Sequence, residues 1–297
     1  MIDPAFAFGG ATLHHADCVT WLGAQPPNSV HGVVTDPPYG LVEYTDKELT
    51  KRERRSGGVW RIPPSYDGHE RAPLPRFTTL SRSEQEDLYR FFLVWASALK
   101  PVMVPGAHLM VASNPLLSHM LSAAIQKAGF ERRGEVVRLV QTMRGGDRPK
   151  NAHEEFSDVT VMPRSQHEPW VLFRKALEGR VQDNLRQWKT GGLRRLSRER
   201  PFGDVIRSAP THKNERTLAS HPSLKPQAFL RQVVRAILPL GEGVVLDPFA
   251  GSGSTLAAAE AVGYASVGVE RDLSSVLLAG EAIPALATLN VAEPVAA

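Results

Sequence analysis

The chain has 297 residues, of which 42% are hydrophobic and 22% are charged, and its formal net charge is +4. This composition is that of a globular protein and excludes a disordered or fibrous chain. The single cysteine excludes an internal disulfide framework, and no apolar run reaches the roughly 18 residues that a membrane span requires, so we expect a protein of the reducing cytoplasm.

Positive charge is concentrated in two parts of the chain. The segment from Glu131 to Arg216 contains 19 Lys and Arg against 12 Asp and Glu. A second cluster, KELTKRERR, runs from Lys47 to Arg55. Each cluster alone is compatible with a solvated surface, but the two together favour an anionic partner.

Strand and helix patterns alternate along the first half of the chain. VHGVVTD, from Val30 to Asp36, predicts a buried strand. The segment from Gly40 to Phe77 has no period, and we interpret it as a long mobile loop. SRSEQEDLYRFFLVWASALK predicts a helix with a capping pattern at Ser83 and Glu86. There follow the strand GAHLMVASN, the helix PLLSHMLSAAIQKAG and the strands EVVRLVQTM and EPWVLFRKA.

The second half begins with a segment from Glu178 to Ser220 in which the apolar pattern fades, and it predicts a small basic insertion or an extended arm. KPQAFLRQVVRAIL predicts an amphipathic helix, GVVLDPFAGSGSTLAAAEAVG a strand, glycine-rich turn and helix, and ASVGVERD a further strand. Alternating strands and helices predict an α/β fold with a mostly parallel sheet.

The glycine-rich turn predicts a nucleotide-like ligand. Gly251 and Gly253 permit a tight turn and close approach of backbone N–H groups to a ligand. The next strand ends at Glu270, about 20 residues on, where an acid commonly accepts hydrogen bonds from ribose hydroxyls. A plain βα turn is the alternative. The turn lacks the Gly-Lys-Ser/Thr of a phosphate loop, and its spacing departs from that of NAD-dependent dehydrogenases.

Several stretches together resemble one enzyme family. TDPPYG taken alone is equally compatible with a turn that ends a strand. With HADCVTWLGAQPPNSV, HEPWVLFRK, HPSLKP and LDPFAGSGST it resembles the S-adenosylmethionine-dependent DNA methyltransferases that modify exocyclic amino groups. The order, with DPPY first and the glycine turn last, resembles the permuted β-group. The resemblance covers most of Thr12 to Asp272, except the long loop and the basic segment.

This resemblance implies a fold and a domain division. The fold is a Rossmann-like methyltransferase sheet, mostly parallel with helices on both faces, plus a small basic target-recognition insertion. Residues 1–177 would form the catalytic part, including the mobile loop 40–77. Residues 178–220 would form the target-recognition insertion, and residues 221–290 the cofactor-binding part of the same domain.

The resemblance also implies S-adenosyl-L-methionine as cofactor, with S-adenosyl-L-homocysteine as product, and no metal. The glycine turn would wrap the methionine part near Asp247, and Glu270 would bind the ribose. Asp17 would contact the adenine amino group, although Ala16 replaces the usual glycine. Ser223, in place of the usual threonine, and Lys225 would lie near the methionine carboxylate, unless Lys225 is a surface lysine. The cofactor-binding candidates are Asp17, Cys18, Asp36, Ser223, Lys225, Asp247, Phe249, Ala250, Gly251, Ser252, Gly253 and Glu270.

The DPPY residues suit methylation of an amino group. The exocyclic nitrogen of adenine or cytosine is a poor nucleophile, because its lone pair is delocalised into the ring. In the family, the side chain matching Asp36 and the carbonyl matching Pro37 accept the amino hydrogens, and Pro38 helps to keep them preorganised. Tyr39 would stack on the flipped base. Asp36, Pro37, Pro38 and Tyr39 are therefore the catalytic candidates, and Cys18 is not expected to attack the base.

Double-stranded DNA is the expected partner, in the cytoplasm at the nucleoid and without a membrane. The DNA-binding candidates are Lys51, Arg52, Arg54, Arg55, Arg186, Lys189, Arg194 and Arg195. DPPY favours adenine N6, and cytosine N4 stays open as the alternative. A catalytically silent DNA-binding module and methylation of RNA or of a small molecule are further alternatives. A homodimer and a cognate restriction endonuclease are open by resemblance alone.

Overall fold

The computed structural model describes residues 3–38, 60–61, 74–75, 80–140, 146–219 and 224–291. Most of the predicted loop 40–77 lies outside the described residues. So do six of the predicted site residues: Tyr39, Lys51, Arg52, Arg54, Arg55 and Ser223.

Strands and helices alternate along the described chain. The strands are β1 (Phe6–Phe8), β2 (Ala11–His15), β3 (Val30–Thr35), β4 (Trp60–Arg61), β5 (Leu74–Pro75), β6 (Met103–Ala112), β7 (Glu131–Leu139), β8 (His167–Arg174), β9 (Val205–Arg207), β10 (Val244–Asp247) and β11 (Ala265–Glu270). The helices are α1 (Cys18–Gly23), α2 (Arg82–Val102), α3 (Ser118–Lys127), α4 (Val181–Gln187), α5 (Lys213–Leu218), α6 (Gln227–Ile237), α7 (Ser254–Ala261) and α8 (Leu273–Ala287).

Among the described residues, nine strands form one sheet in the order β1-β2-β11-β10-β3-β6-β8-β7-β9. The strands from β2 to β6 in this order are parallel, whereas β1 and β8 run antiparallel to their neighbours. The carboxyl ends of the parallel strands therefore meet at one edge, which we call the carboxyl edge. The expected mostly parallel, Rossmann-like sheet is confirmed.

Helices cover both faces of the sheet because successive strand residues point to opposite sides. On β3, Val33 packs with Trp95 of α2, whereas Val34 belongs to a second core cluster with Phe229 and Val233 of α6. A third cluster joins α7 and α8 to β2. These three clusters hold the strand ends at the carboxyl edge in fixed positions. Within the described residues, no helix is long and apolar enough to cross a membrane.

Helix α2 begins two residues earlier than its sequence pattern predicts. Ser81, not Ser83, is the N-cap, and its hydroxyl accepts a hydrogen bond from the Glu84 backbone N–H at 3.3 Å. The Glu84 carboxylate accepts from the Ser81 N–H at 2.6 Å and completes the capping box. Both serines precede a glutamate by three residues, so the spacing alone cannot choose between them.

The segment 178–220, predicted as an insertion, is built into the main domain. Its strand β9 pairs in parallel with β7 at the end of the sheet. Earlier in the same segment, Thr190 donates its hydroxyl to the Pro105 carbonyl at 2.6 Å, near the start of β6. The segment therefore runs from the amino ends of the central strands to the carboxyl edge, and its role in target recognition stays a prediction.

Candidate active site

The ends of β3 and β10 bring two candidate acids to the carboxyl edge. Asp247 is the last residue of β10, and Asp36 directly follows β3. The Asp247 carboxylate accepts from the Thr35 hydroxyl at 2.7 Å and from the Phe249 N–H at 3.1 Å. Burial raises the pKa of Asp247 to about 6, against hydrogen bonds from Thr255, Thr35 and Phe249 that lower it.

The glycine turn follows Asp247 and depends on left-handed backbone. Gly251 has φ +50° and Gly253 has φ +78°, conformations that side chains with a Cβ rarely adopt. A Cβ on Gly253 would lie 2.5 Å from the Ile283 side chain of α8. Position 253 therefore requires glycine for two reasons: its backbone is left-handed, and α8 packs too closely to leave room for a Cβ.

Glu270 closes the glycine turn from the neighbouring strand. Its carboxylate accepts from the Gly251 N–H at 2.9 Å and from the Asp272 N–H at 2.8 Å. A carboxylate has about four acceptor positions, so Glu270 retains capacity for ribose hydroxyls. The turn and the acid predicted to act together are adjacent in the structure.

Asp17 and Cys18 lie at the end of β2, where α1 begins. Asp17 is exposed and caps α1 by accepting from the Thr20 N–H at 2.9 Å. The Cys18 thiol is buried in the core cluster under α2, and burial raises its pKa to about 11. The protonated thiol is a poor nucleophile at neutral pH. The cofactor-binding role of both residues stays a prediction.

Lys225 lines the same pocket as the glycine turn, and its place near the methionine carboxylate stays a prediction. Its ammonium group donates to Asp36 Oδ2 and lies 3.2 Å from Glu168 Oε1. Burial disfavours the charged form of Lys225, but Asp36 and Glu168 outweigh this effect, and the pKa is raised. Lys225 is therefore not a surface lysine, and in this structure its described partners are carboxylates of the protein.

Asp36, Lys225 and the glycine turn line one pocket. Its volume is about 370 Å³ including its opening to solvent, and Trp170 and Asp247 complete its wall. The close approach to the backbone that the glycine turn permits, the acid at Glu270 and the apolar ring of Phe249 suit an adenosine-type methyl donor. Among the residues in the described ranges, no three His, Cys, Asp or Glu side chains are grouped as a metal site would require.

Two residues of this site were missing from the sequence-based candidates. Arg138 and Glu168 form an ion pair at 2.8 Å next to Lys225. Glu168 lies within HEPWVLFRK, one of the stretches that carry the family resemblance. Arg138 is a charged residue inside the apolar run of β7, and this interruption was the available signal.

The four described DNA-binding candidates do not lie near Asp36. Arg194 donates to the Tyr264 hydroxyl at 2.6 Å, just before β11 begins. The Arg195 carbonyl accepts from Arg235 at 2.8 Å, near the end of α6. Both contacts are at the amino ends of the parallel strands, because α6 runs back from the carboxyl edge. Arg186 and Lys189 lie in or next to α4, beside the start of β6.

This fold and this pocket define a class of protein, the S-adenosylmethionine-dependent methyltransferases. Within that class, a family model described as DNA methylase matches residues 30–281. The chain therefore belongs to this family of DNA methyltransferases, which act on adenine N6 or cytosine N4 and take the methyl group from S-adenosylmethionine.

Individual relatives agree with this family. The chain is 20% identical to the type II methyltransferase M2.DpnII of Streptococcus pneumoniae, over 92% of this chain and 89% of that protein. It is 21% identical to the type II methyltransferase M.HindIII of Haemophilus influenzae, over 88% and 91% of the two chains.

Solved structures share the fold. TTHA0409 of Thermus thermophilus, complexed with S-adenosyl-L-methionine, superposes with a TM-score of 0.59 at 20% identity, over 93% of this chain and 94% of that chain. The cytosine-N4-specific PvuII DNA methyltransferase also has a TM-score of 0.59, at 14% identity, over 97% and 89%. At these identities the likeness extends to the fold alone.

Proposed function

We propose that the enzyme methylates the N6 amino group of adenine at a specific site in double-stranded DNA. The observation that carries the proposal is the shared pocket, which both Asp36 and the glycine turn line. A negatively charged acceptor at this position suits an amino group whose hydrogens must be held while its nitrogen attacks. The choice of adenine rests on the DPPY motif, which is commoner in the adenine-N6 members of the family.

The chain's own residues would act by positioning and electrostatics. Asp36 accepts one amino hydrogen and the Pro37 carbonyl accepts the other, which localises the lone pair on the nitrogen. Pro37 and Pro38 fix the backbone after β3, so that these acceptors need little reorganisation. Tyr39 stacks on the base, which must leave the duplex to reach the pocket.

The glycine turn and Glu270 would hold the cofactor on the other side of the pocket. The turn would allow the cofactor a close approach to its backbone, while its N–H groups at Phe249, Ala250, Gly251 and Gly253 donate within the protein. Glu270 offers acceptor positions to ribose hydroxyls. When bound, S-adenosylmethionine supplies an electrophilic methyl group. The residues around the pocket would then exclude water. They would also keep the base-binding and cofactor-binding regions at a constant separation, which the hydrogen bond between Thr35 and Asp247 supports.

The experiment that tests this function identifies the methylated nucleoside. Purified enzyme is incubated with genomic DNA and isotopically labelled S-adenosylmethionine, and the DNA is digested to nucleosides for mass spectrometry. Label in N6-methyl-2′-deoxyadenosine supports the proposal. Label in N4-methyl-2′-deoxycytidine would overturn the choice of base, and label only in RNA or in small molecules, supplied in parallel reactions, would overturn the substrate class.

We also propose that DNA lies against the carboxyl edge. The cations Lys51, Arg52, Arg54 and Arg55 follow the DPPY residues closely in sequence, which supports their role in phosphate binding. Arg186, Lys189, Arg194 and Arg195 would contact DNA only if it also reached the opposite edge. A homodimer that extends the protein surface around the duplex is a further proposal, tested by light scattering with and without DNA.

A further inference from the structure

A chain of four charged side chains lies beneath the carboxyl edge. Asp36 pairs with Lys225, Lys225 approaches Glu168 at 3.2 Å, and Glu168 pairs with Arg138 at 2.8 Å. The four side chains come from separate parts of the chain, and each is at most 17% exposed. Two acids and two bases balance one another, so the network has no net formal charge.

Arg138 is fixed from several directions. It lies directly opposite Glu168 in the antiparallel pairing of β7 and β8. Its guanidinium also donates to the Ser208 hydroxyl at 2.9 Å and to the Ala209 carbonyl at 3.0 Å, just after β9. The ring of Phe229 lies below it, 5.4 Å from the guanidinium carbon. Arg138 therefore holds Glu168 in one orientation.

Glu168 divides its two oxygens between two cations. One oxygen accepts from Arg138 and the other faces Lys225. Burial opposes ionisation of Glu168, but Lys225 and Arg138 outweigh it and lower its pKa, so the side chain is a carboxylate at neutral pH. Lys225 is consequently shared between two carboxylates and does not neutralise Asp36 alone.

A buried ion network of this kind adds little stability compared with well-packed apolar residues. The network instead affects the Asp36 carboxylate, the hydrogen-bond acceptor at its end. An ammonium group bound to Asp36 alone would withdraw electron density from that carboxylate and weaken it as an acceptor. A second carboxylate on the same ammonium group offsets this effect and also fixes where the ammonium group lies.

We propose that Glu168, held by Arg138, is a positioning residue that shares Lys225 with Asp36 and thereby sets the acceptor strength and orientation of the Asp36 carboxylate. The inference rests on the proposed role of Asp36 as acceptor of the target amino hydrogen. It assigns Lys225 to the base side of the pocket, in place of the methionine side to which the family resemblance assigned it.

The test is the Glu168→Gln variant, which keeps the size of the side chain and one acceptor oxygen, but removes the charge and places an NH2 donor where the second acceptor oxygen was. We expect its single-turnover methylation rate with saturating DNA and cofactor to fall about 10- to 100-fold, as for loss of one preorganised polar group. Calorimetric cofactor affinity and DNA affinity by fluorescence anisotropy should stay within about twofold of wild type, because Glu168 does not line the pocket and acts through Lys225.

A matched control is Glu135→Gln, the same substitution on neighbouring β7, where Glu135 forms a partly exposed pair with Arg132 at 3.5 Å. It should leave all three quantities unchanged. Glu168→Asp, which restores the charge on a shorter side chain, should recover part of the rate, and thermal unfolding reports whether each variant is folded.

Two results would overturn the inference. One is a Glu168→Gln rate equal to that of wild type. The other is a lost rate that is matched by lost cofactor or DNA affinity, or that Glu168→Asp does not recover, since either indicates a structural role. If the proposed function itself were wrong, the wild-type enzyme would transfer no methyl group to DNA. This result is distinct from the two results that would overturn the role of Glu168.

Discussion

Thr35 donates its hydroxyl to the Asp247 carboxylate at 2.7 Å, although 212 residues separate them in sequence. They are the last residues of the adjacent parallel strands β3 and β10. One strand leads into the Asp-Pro-Pro residues and the other into the glycine turn. This bond therefore ties the base side of the pocket to the cofactor side.

Replacement of Thr35 by Val removes this donor while keeping the shape of the side chain. Asp247 is buried and would lose one of its hydrogen bonds, so we expect the free energy of unfolding to fall by about 1–2 kcal/mol. Urea unfolding at pH 7 measures the change. Thr12→Val is the matched control, because the Thr12 hydroxyl makes only a 3.4 Å contact with a neighbouring strand. Equal effects of the two substitutions would contradict the prediction.

Asp247 should make stability depend on pH. Its pKa is raised from 3.8 to about 6 in the folded protein, so folding favours the protonated form. The associated stabilisation is complete below about pH 4 and is lost as pH rises through about 6, with a span on the order of 3 kcal/mol. The neutral Asp247→Asn variant has no such loss. We therefore expect its stability relative to wild type to rise between pH 4 and pH 8 in denaturant titrations.

Asp272 offers a control of opposite sign. Hydrogen bonds from Ser274 and Ser275 lower its pKa from 3.8 to about 2. Its stabilising contribution is present above about pH 4 and is lost as pH falls through about 2. Asp272→Asn should consequently become less stable relative to wild type as pH rises across that lower range. A pH-independent difference for Asp247→Asn would contradict its raised pKa.

Gly253→Ala should destabilise the protein more than Gly263→Ala. The two glycines have nearly equal φ angles, +78° and +77°, so the cost of left-handed backbone, about 1 kcal/mol, is common to both. A Cβ on Gly263 meets no atom within 4 Å, whereas one on Gly253 lies 2.5 Å from Ile283. We expect at least about 1 kcal/mol of additional loss at Gly253 from the clash. Comparable melting temperatures for the two variants would disprove close packing of α8 on the turn.

Structural features that depend on residues close together in sequence could be predicted from the sequence. The strand that leads into Asp36, the glycine turn at Gly251 and Gly253, and the acid at Glu270 all follow from local patterns. The pairing of Arg138 with Glu168 depends on the antiparallel register of β7 and β8, which a single sequence does not specify. Lys225 donates a hydrogen bond to Asp36, which lies 189 residues earlier in the chain, and this contact also depends on how the strands assemble into the sheet.

The same limit explains why the described DNA-binding candidates do not lie near Asp36. Positive charge along the chain predicts an anionic partner, but it does not tell which edge of the sheet a residue will reach. Arg194 and Arg195 reach the amino ends of the strands because α6, against which they pack, runs back across the sheet. Ser81 and Ser83 illustrate a smaller ambiguity, since both begin the same capping pattern.

Asp36→Ala should abolish methyl transfer without loss of cofactor binding. It removes the carboxylate acceptor in the pocket, so we expect the single-turnover rate to fall by about 10²-fold or more. The glycine turn and Glu270 are untouched, so calorimetry should give a cofactor affinity that is largely kept, even though Asp36 is also a cofactor-binding candidate. Asp36→Asn, which keeps one oxygen acceptor, should retain more activity than Asp36→Ala. Near-normal turnover of Asp36→Ala would refute its catalytic role.

Neutralising each of the two groups of candidate cations should affect DNA binding differently. In one variant, Lys51, Arg52, Arg54 and Arg55 become Gln; in the other, Arg186, Lys189 and Arg195 do. Because Asp36 lies at the carboxyl edge, we expect the first variant to bind DNA more weakly, with a salt slope shallower by about 0.9 for each phosphate that is no longer neutralised. The second variant should keep the affinity and slope of wild type, and neither should change cofactor affinity. The measurement is DNA affinity by fluorescence anisotropy across salt concentrations. A weakened second variant beside an unchanged first one would place the DNA at the amino ends of the strands and contradict the carboxyl-edge arrangement.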